Sequence, residues 1–385
     1  MHRFAVDAHA IGRKLTGNEV YVRNLVRSFA SLGEENELIA YLSEPGAERD
    51  LPERVQWRRV SGNPWLRLGF DLNRRLRQDR PALLHVQYTA PIACPVPVVV
   101  SVHDVSFLEH PEYFPPARVA QLKFTVRRTV EQAARVLTLS EFSANAIRRL
   151  YGISRERIAV VPGAVSSTFR PVPRESVQAA LRLRFGIVKP YVLMVGDLQP
   201  RKNQEGLIRA FEDLVRAVPQ LPHHLVLAGK DSWHAMRIRQ AAARSSIADR
   251  IHFTGFVTDE ELLQLYGGCD VFAFPSLYEG FGLPILEAMA CGRAVACSNT
   301  TATVEVADGA GVCFDPHSTF EITRALRDLL LDPELRTRME RLGLQRASGF
   351  QWKDAARRTL AVYHEVAESR MRNRWHGGVP AGARR

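Results

Sequence analysis

Two carboxylates, Glu279 and Glu287, bracket a glycine-rich turn in SLYEGFGLPILEAMACG, residues 276–292. Pro284 follows Gly282, where its missing N–H suits the first turn of a helix, and Gly292 suits the helix end. Glu279 then lies in the loop and Glu287 in the helix. The N–H groups of Gly280, Phe281, Gly282 and Leu283, ahead of that helix, make an anion site whose usual occupant is phosphate. Gly280 and Gly282 let a ligand come close to the backbone. Glu287 can accept hydrogen bonds from a pair of hydroxyls such as those of a ribose, and Glu279 can face a sugar. The plainer alternative is that Glu279 complements the helix dipole and Glu287 is solvated.

Three further stretches carry chemistry. GDLQPRKN (196–203) sets Arg201 and Lys202 just before a helix that the pattern starts near Asn203. Two cations there can neutralise a diphosphate and stabilise the charge that grows on it as it leaves. A solvated basic loop is the alternative. VVVSVHDVSFLEHPEYF (98–114) puts His103 and Asp104 directly after a strand. A neutral imidazole can hold a substrate hydroxyl or carry a proton, and a strand-capping histidine is the alternative. IGRKLTGNEVYVRNLV (11–26) sets Gly12 and Gly17 where a phosphate-approach loop would lie. It lacks G-x-G-x-x-G, so a dinucleotide fingerprint is unsupported. No Walker A sequence occurs, and no two aspartates are separated by one residue. No metal and no cofactor are expected.

These residues need strands to position them. Short apolar runs recur at 4–6, 38–42, 83–86, 98–102, 136–140 and 158–161, then at 191–196, 225–229, 251–255, 271–275 and 294–298. Runs of this length without alternation read as parallel strands buried on both faces. Helical patterns lie between them at 18–32, 117–134, 141–151, 203–217, 233–244, 259–267 and 284–291. Each half therefore reads as a doubly wound α/β layer, with ligands expected at the carboxyl ends of the strands and in a cleft between the halves. PGAVSSTFRPVPRE (162–175) reads as a linker. The expected division is residues 1–170, residues 171–351, a helix at 352–369 that rejoins the first domain, and a basic, disordered tail at 370–385. That last helix carries Trp352, Ala356, Leu360, Tyr363 and Val366 at helical spacing.

The chain has 385 residues, 46% of them hydrophobic, and a net charge of +11. Up to Arg184 there are 27 basic residues against 18 acidic, so the excess lies mainly in the first half. No nucleic-acid motif accompanies that charge, and no nucleic-acid partner is expected. A phosphate-bearing substrate or an anionic membrane surface fits the charge better. The helical pattern 117–134 adds Arg118, Lys123, Arg127 and Arg128 beside an apolar stripe, which fits either a peripheral membrane contact or packing on its own sheet. The five cysteines form no C-x-x-C pair, and the N-terminus lacks a long apolar segment. The expected setting is cytoplasmic, extending to the inner face of the membrane.

YEGFGLPILEAMACGRAVACSN resembles the E-x7-E signature of retaining glycosyltransferases of family 4, also called glycosyl transferases group 1. VGDLQPRKN, TLSEFSANAIRRLYGISRERIAVVPGAV and IHFTGFVTDEELLQLYGGCDVFAFPS are similar to segments of that family, in its order. The resemblance implies the GT-B fold: two facing Rossmann-like domains with parallel sheets and an interdomain cleft. It implies that Glu287 binds the donor ribose and that Arg201 and Lys202 bind the diphosphate. Glu279, with the backbone of Gly280, Phe281, Gly282 and Leu283, would hold the donor sugar and phosphates, and His103 would sit by the sugar hydroxyls. Phe256 and Val257 would flank the base, and Gly17 would admit the phosphates. Relatives often carry glycine near position 19, where this chain has Glu19, and Leu-Pro where it has Thr303-Val304 before Glu305. HDVSFLEHPEYF resembles bacterial mannosyltransferases of polysaccharide assembly, which implies GDP-mannose as donor and a glycan or lipid-linked glycan as acceptor. A GT-B nucleotide-sugar epimerase and a non-catalytic nucleotide-sugar-binding subunit are the competing functions.

Overall fold

A strand with no polar face must be covered on both sides, and the inner strands of this protein are. In the computed structural model, which describes residues 2–13, 16–32 and 36–376, they run β1 (Arg3–Asp7), β2 (Glu37–Leu42), β3 (Gln56–Arg59), β4 (Leu83–Gln87), β5 (Val98–Ser101), β6 (Arg135–Thr138), β7 (Ile158–Val160), β8 (Tyr191–Val195), β9 (His224–Ala228), β10 (Ile251–Gly255), β11 (Val271–Phe274), β12 (Ala294–Ser298) and β13 (Val312–Phe314). All five residues of β4 and of β12 are buried. Every expected strand is present. The two that the apolar runs did not announce, β3 and β13, are the last strands at one end of each sheet. An edge strand has one neighbour and tolerates polar residues, as in the QWRR of β3.

The chain divides into two compact units. The first holds residues 1–108, 116–163 and 352–385, and the second holds 109–115 and 164–351. The first unit's sheet is parallel throughout, in the order β3-β2-β1-β4-β5-β6-β7. The order reverses between β1 and β4, which pair Phe4 with Leu83 and Val6 with His85. The second unit's sheet runs β10-β9-β8-β11-β12-β13 and reverses between β8 and β11, where Val271 meets Val192. In open sheets of this kind ligands bind beyond the carboxyl ends of the strands at the reversal.

The helix Trp352–His376 belongs to the first unit. Its expected stripe, Trp352, Ala356, Leu360, Tyr363 and Val366, is buried there. The Tyr363 ring packs on Phe4 at 5.1 Å, and Trp352 packs on Tyr21 at 6.0 Å. Large buried side chains of this kind contribute about 1.5–3 kcal/mol each. The expected disorder of the tail falls, from residue 377 onward, outside the described residues. The expected linker is shorter than its composition suggested, because a helix already begins at Arg174.

Candidate functional site

In the second unit, β11 ends at Phe274 and a loop leads to the helix Leu283–Ala290, with Pro284 in its first turn. Gly282 precedes that helix at φ 118, a left-handed conformation that favours glycine. Glu279 is buried in the loop, and its two oxygens face the two cations that follow β8. Arg201 Nη1 donates to Oε2 at 2.9 Å, and Lys202 Nζ donates to Oε1 at 2.6 Å. Arg201 Nη1 also donates to the Tyr278 carbonyl at 2.8 Å. Burial alone would raise the Glu279 pKa, but Arg201 and Lys202 outweigh it and hold the carboxyl at about 2. Burial pulls Lys202 downward while Glu279 opposes the shift. The lysine stem lies along Gly196, where an added Cβ would stand 3.2 Å from Cε, and the ammonium sits 5.0 Å above the Phe274 ring.

The trio has a rigid backing. Asn203, at φ 60, donates its amide to the carbonyls of Pro275 and Pro316 at 3.2 and 2.8 Å, which ties the end of the Pro200–Lys202 turn to the β11 loop. Thr301, at φ 58 and ψ −148, accepts the Glu279 N–H on Oγ1 at 3.2 Å. A non-glycine residue in that region is strained, and such strain gathers at ligand sites. Glu287 is buried on the helix, and its Oε2 accepts the Tyr266 hydroxyl at 3.0 Å. Burial raises its pKa to about 7, with Tyr266 opposing and Asp259 adding to the shift. The solvated alternative for Glu287 therefore does not hold. Phe281 turns its ring into the interior beside Phe350, so its backbone is what the loop can offer a ligand. Phe256 and Val257 follow β10, with Phe256 exposed, and Thr258 then caps the next helix in a capping box with Glu261.

In the first unit, His103 follows β5 and is 8% exposed. Its ring meets Tyr21 edge-on at 4.5 Å and Tyr88 at 5.7 Å. Neither ring nitrogen has a hydrogen-bond partner among the described residues. Burial lowers the pKa to about 4, so the imidazole is neutral at physiological pH. Below it runs a buried chain: Tyr21 Oη lies 3.1 Å from Ser101 Oγ, which lies 2.7 Å from His85 Nε2, and His85 Nδ1 lies 2.5 Å from Tyr363 Oη. Asp104 has a structural task, accepting the N–H and hydroxyl of Ser106 at 2.9 and 2.6 Å. Gly17 lies in the first turn of the helix Thr16–Ser31, with open space around its Cα. Glu19 accepts the Gly12 N–H at 3.0 Å and so fixes the loop after β1.

Residues 15–169 match the family described as Glycosyltransferase Family 4, and residues 184–346 match Glycosyl transferases group 1. The O-antigen chain mannosyltransferase B of Escherichia coli is 34% identical over 266 residues, which span 69% of this chain and 69% of that protein. The chain belongs to the family 4 glycosyltransferases. Its fold is also that of sucrose-phosphate synthase from Thermosynechococcus elongatus, with a TM-score of 0.76 and 18% identity over 96% of this chain and 100% of that one. Anabaena HepE, solved with UDP and glucose, has a TM-score of 0.74 and 20% identity over 95% of this chain and 100% of that one. These likenesses make the fold of this glycosyltransferase GT-B, built from two parallel-sheet α/β domains.

Within this glycosyltransferase, Glu279, Arg201 and Lys202 meet directly, while Glu287 is held by Tyr266. Glu305 is exposed on the helix Ala302–Ala307. Sequence reasoning missed Tyr266, Asn203 and Thr301. Only Asn203 carried a local signal, since asparagine is among the few residues that tolerate a left-handed turn before a helix. The segment Glu109–Pro115, flanked by residues of the first unit, groups with the second. The Tyr278 hydroxyl donates to Glu109 Oε2 at 2.6 Å, and Trp233 Nε1 donates to the Tyr113 carbonyl at 3.0 Å.

Proposed function

We propose that this protein transfers a hexose, preferably mannose, from a nucleotide diphosphate sugar to a glycan or lipid-linked glycan in cell-surface polysaccharide synthesis. Transfer proceeds with retention at the anomeric carbon and without a metal ion. The carrying observation is the trio Glu279, Arg201 and Lys202 at the reversal of the second sheet, with Glu279 and Lys202 buried. As the donor bond breaks, charge grows on the leaving diphosphate. Cations already fixed in place stabilise that charge without reorganising. Both Glu279 oxygens are engaged, which favours a role in orienting the cations over one as nucleophile. The acceptor then attacks an oxocarbenium-like centre from the face the diphosphate leaves.

The remaining roles follow the family. Glu287 accepts the ribose hydroxyls, Phe256 and Val257 flank the base, and Gly17 admits the phosphates. The backbone of Gly280, Phe281, Gly282 and Leu283 holds the donor, and neutral His103 holds a sugar hydroxyl. The likeness to the O-antigen mannosyltransferase supports GDP-mannose as the donor.

A membrane-linked acceptor is supported by the surface of the first unit. Trp65, Leu66, Phe70, Ile92 and Phe124 are all exposed there, Trp65 at 81% and Phe124 at 73%. They sit on connected segments: Ile92 N–H donates to the Leu68 carbonyl at 3.1 Å, and Arg128 Nη2 donates to the Ala90 carbonyl at 2.6 Å. Arg118, Lys123 and Arg127 stand exposed on the helix that carries Phe124. Apolar groups rimmed by cations suit an anionic bilayer face, and no described helix is long and apolar enough to cross one.

The test is a thermal-shift series with GDP, UDP, ADP and their sugar conjugates in EDTA. GDP and GDP-mannose should raise the melting temperature. A flat response to all of them overturns the reading, and a shift that EDTA abolishes overturns its metal-free part.

A further inference from the structure

On the strand neighbouring the one that leads to His103, a second side chain is left unmet among the described residues. Gln87 ends β4, is 8% exposed, and pairs across the sheet with Ser101, two residues before His103. Its amide oxygen and its amide nitrogen are both buried, and neither has a hydrogen-bond partner among the described residues. Which way the amide is turned is therefore immaterial. A buried polar group without a partner is costly, and a pair of them on one side chain is unusual.

The backbone here is strained as well. The Thr89 N–H donates back to the Gln87 carbonyl at 2.6 Å across Tyr88, whose φ is 60. This three-residue turn is a rare, high-energy form, and strain of this kind persists where function holds it. The Tyr88 N–H is tied to the Ser101 carbonyl at 2.9 Å, and its ring abuts His103. Gln87 therefore ends its strand opposite Ser101, two residues before His103, at the reversal between β1 and β4.

We infer that Gln87 and His103 together form a hydroxyl-reading site for a neutral saccharide. The inference rests on the glycosyl-transfer reading above. Its chemistry comes from the groups themselves. A primary amide and a neutral imidazole each offer one kind of donor and one kind of acceptor. A phosphate oxygen only accepts and would leave the amide oxygen unmet. An ammonium only donates and would leave the amide nitrogen unmet. A sugar hydroxyl does both. The hydroxyl comes either from the sugar being transferred or from the acceptor saccharide.

The test is Gln87→Met, which keeps the side-chain length and removes both polar atoms. Three quantities are compared with the wild type: affinity for GDP-mannose against GDP by calorimetry, the KM of methyl α-mannoside as acceptor probe, and the melting temperature. If the donor sugar is read, GDP-mannose affinity falls about tenfold and GDP affinity is unchanged. If the acceptor is read, both affinities hold and the KM for the mannoside rises about tenfold. In either case the melting temperature holds or rises, because an unmet buried amide has been removed. A lowered melting temperature with all binding constants within about twofold means that the amide only supports the fold, and it overturns the inference. Failure of the wild type to bind any sugar nucleotide would instead sink the transferase reading itself.

Discussion

At the carboxyl edge of the six-stranded sheet, three charged groups meet and satisfy one another. At the corresponding edge of the seven-stranded sheet, the side chains of Gln87 and His103, uncharged and at the ends of neighbouring strands, have no hydrogen-bond partner among the described residues. The difference fits the proposed roles, a diphosphate at the first edge and a sugar hydroxyl at the second. A diphosphate carries charge in every state, so its cations need a counter-charge to survive burial before the ligand arrives, and Glu279 supplies it. A sugar hydroxyl carries none, so the groups that read it can wait neutral, at the smaller cost of unmet hydrogen bonds.

The comparison breaks most visibly at Glu279. Glu279→Ala removes the carboxylate that pairs with both Arg201 and Lys202 and leaves Asp197 as a weaker counter-charge, and stability in urea should fall by about 3 kcal/mol. Addition of GDP should recover part of that loss. A change below about 1 kcal/mol would show that the trio is not an electrostatic unit.

His103→Ala should lower turnover about a hundredfold while GDP affinity stays within about twofold. Equal loss of affinity in His103→Ala and Glu287→Ala would erase the division of labour between the two edges.

A subtler test is pH. In the proposed role Glu287 accepts two ribose hydroxyls, which only its ionised form can do with both oxygens, and burial raises its pKa to about 7. GDP-mannose affinity should therefore rise by up to about tenfold per unit from about pH 5 to 7 and then level. Glu287→Gln should flatten the profile. For stability the sign is opposite. The folded-state pKa lies above the ordinary 4.5, so the favourable contribution is complete below 4.5 and is lost as pH rises through about 7.

The smallest effect belongs to Tyr266→Phe. It removes a hydroxyl that stabilises the carboxylate of Glu287, so the midpoint of that profile should move upward, by less than about one unit. A downward move would mean that the tyrosine does not donate to Glu287.

Much of this was legible in the residues. Eleven apolar runs became strands, nine of them inside the sheets, because a parallel strand covered on both faces leaves a continuous apolar trace. The helix 141–151 matched at both ends because Ser140 caps it and Gly152 closes it at φ 67. β3 and β13 were not legible, since an edge strand can be polar, as in the QWRR of β3, or as short as the three residues of β13. The helices Arg174–Phe185, Thr319–Leu331 and Pro333–Ser348 were also passed over, the first because its start lies in a proline-rich stretch read as linker. Within the site, the acids, the cations and His103 were named from their places after strands. Gln87 was not, because nothing local separates a strand-end glutamine that has partners from one that has none.

The sequence by itself determined which residue types stand at the carboxyl ends of the strands, and the family those types belong to. Only the tertiary structure decided their charge states. Lys202 and Glu279 lie 77 positions apart and touch only because β8 and β11 are neighbours where the sheet order reverses. That contact holds Glu279 ionised, whereas Glu287, eight positions further on, is buried beside a hydroxyl and rises to about 7. Burial and partner, not residue type, set a carboxylate's charge, and both are properties of the folded sheet.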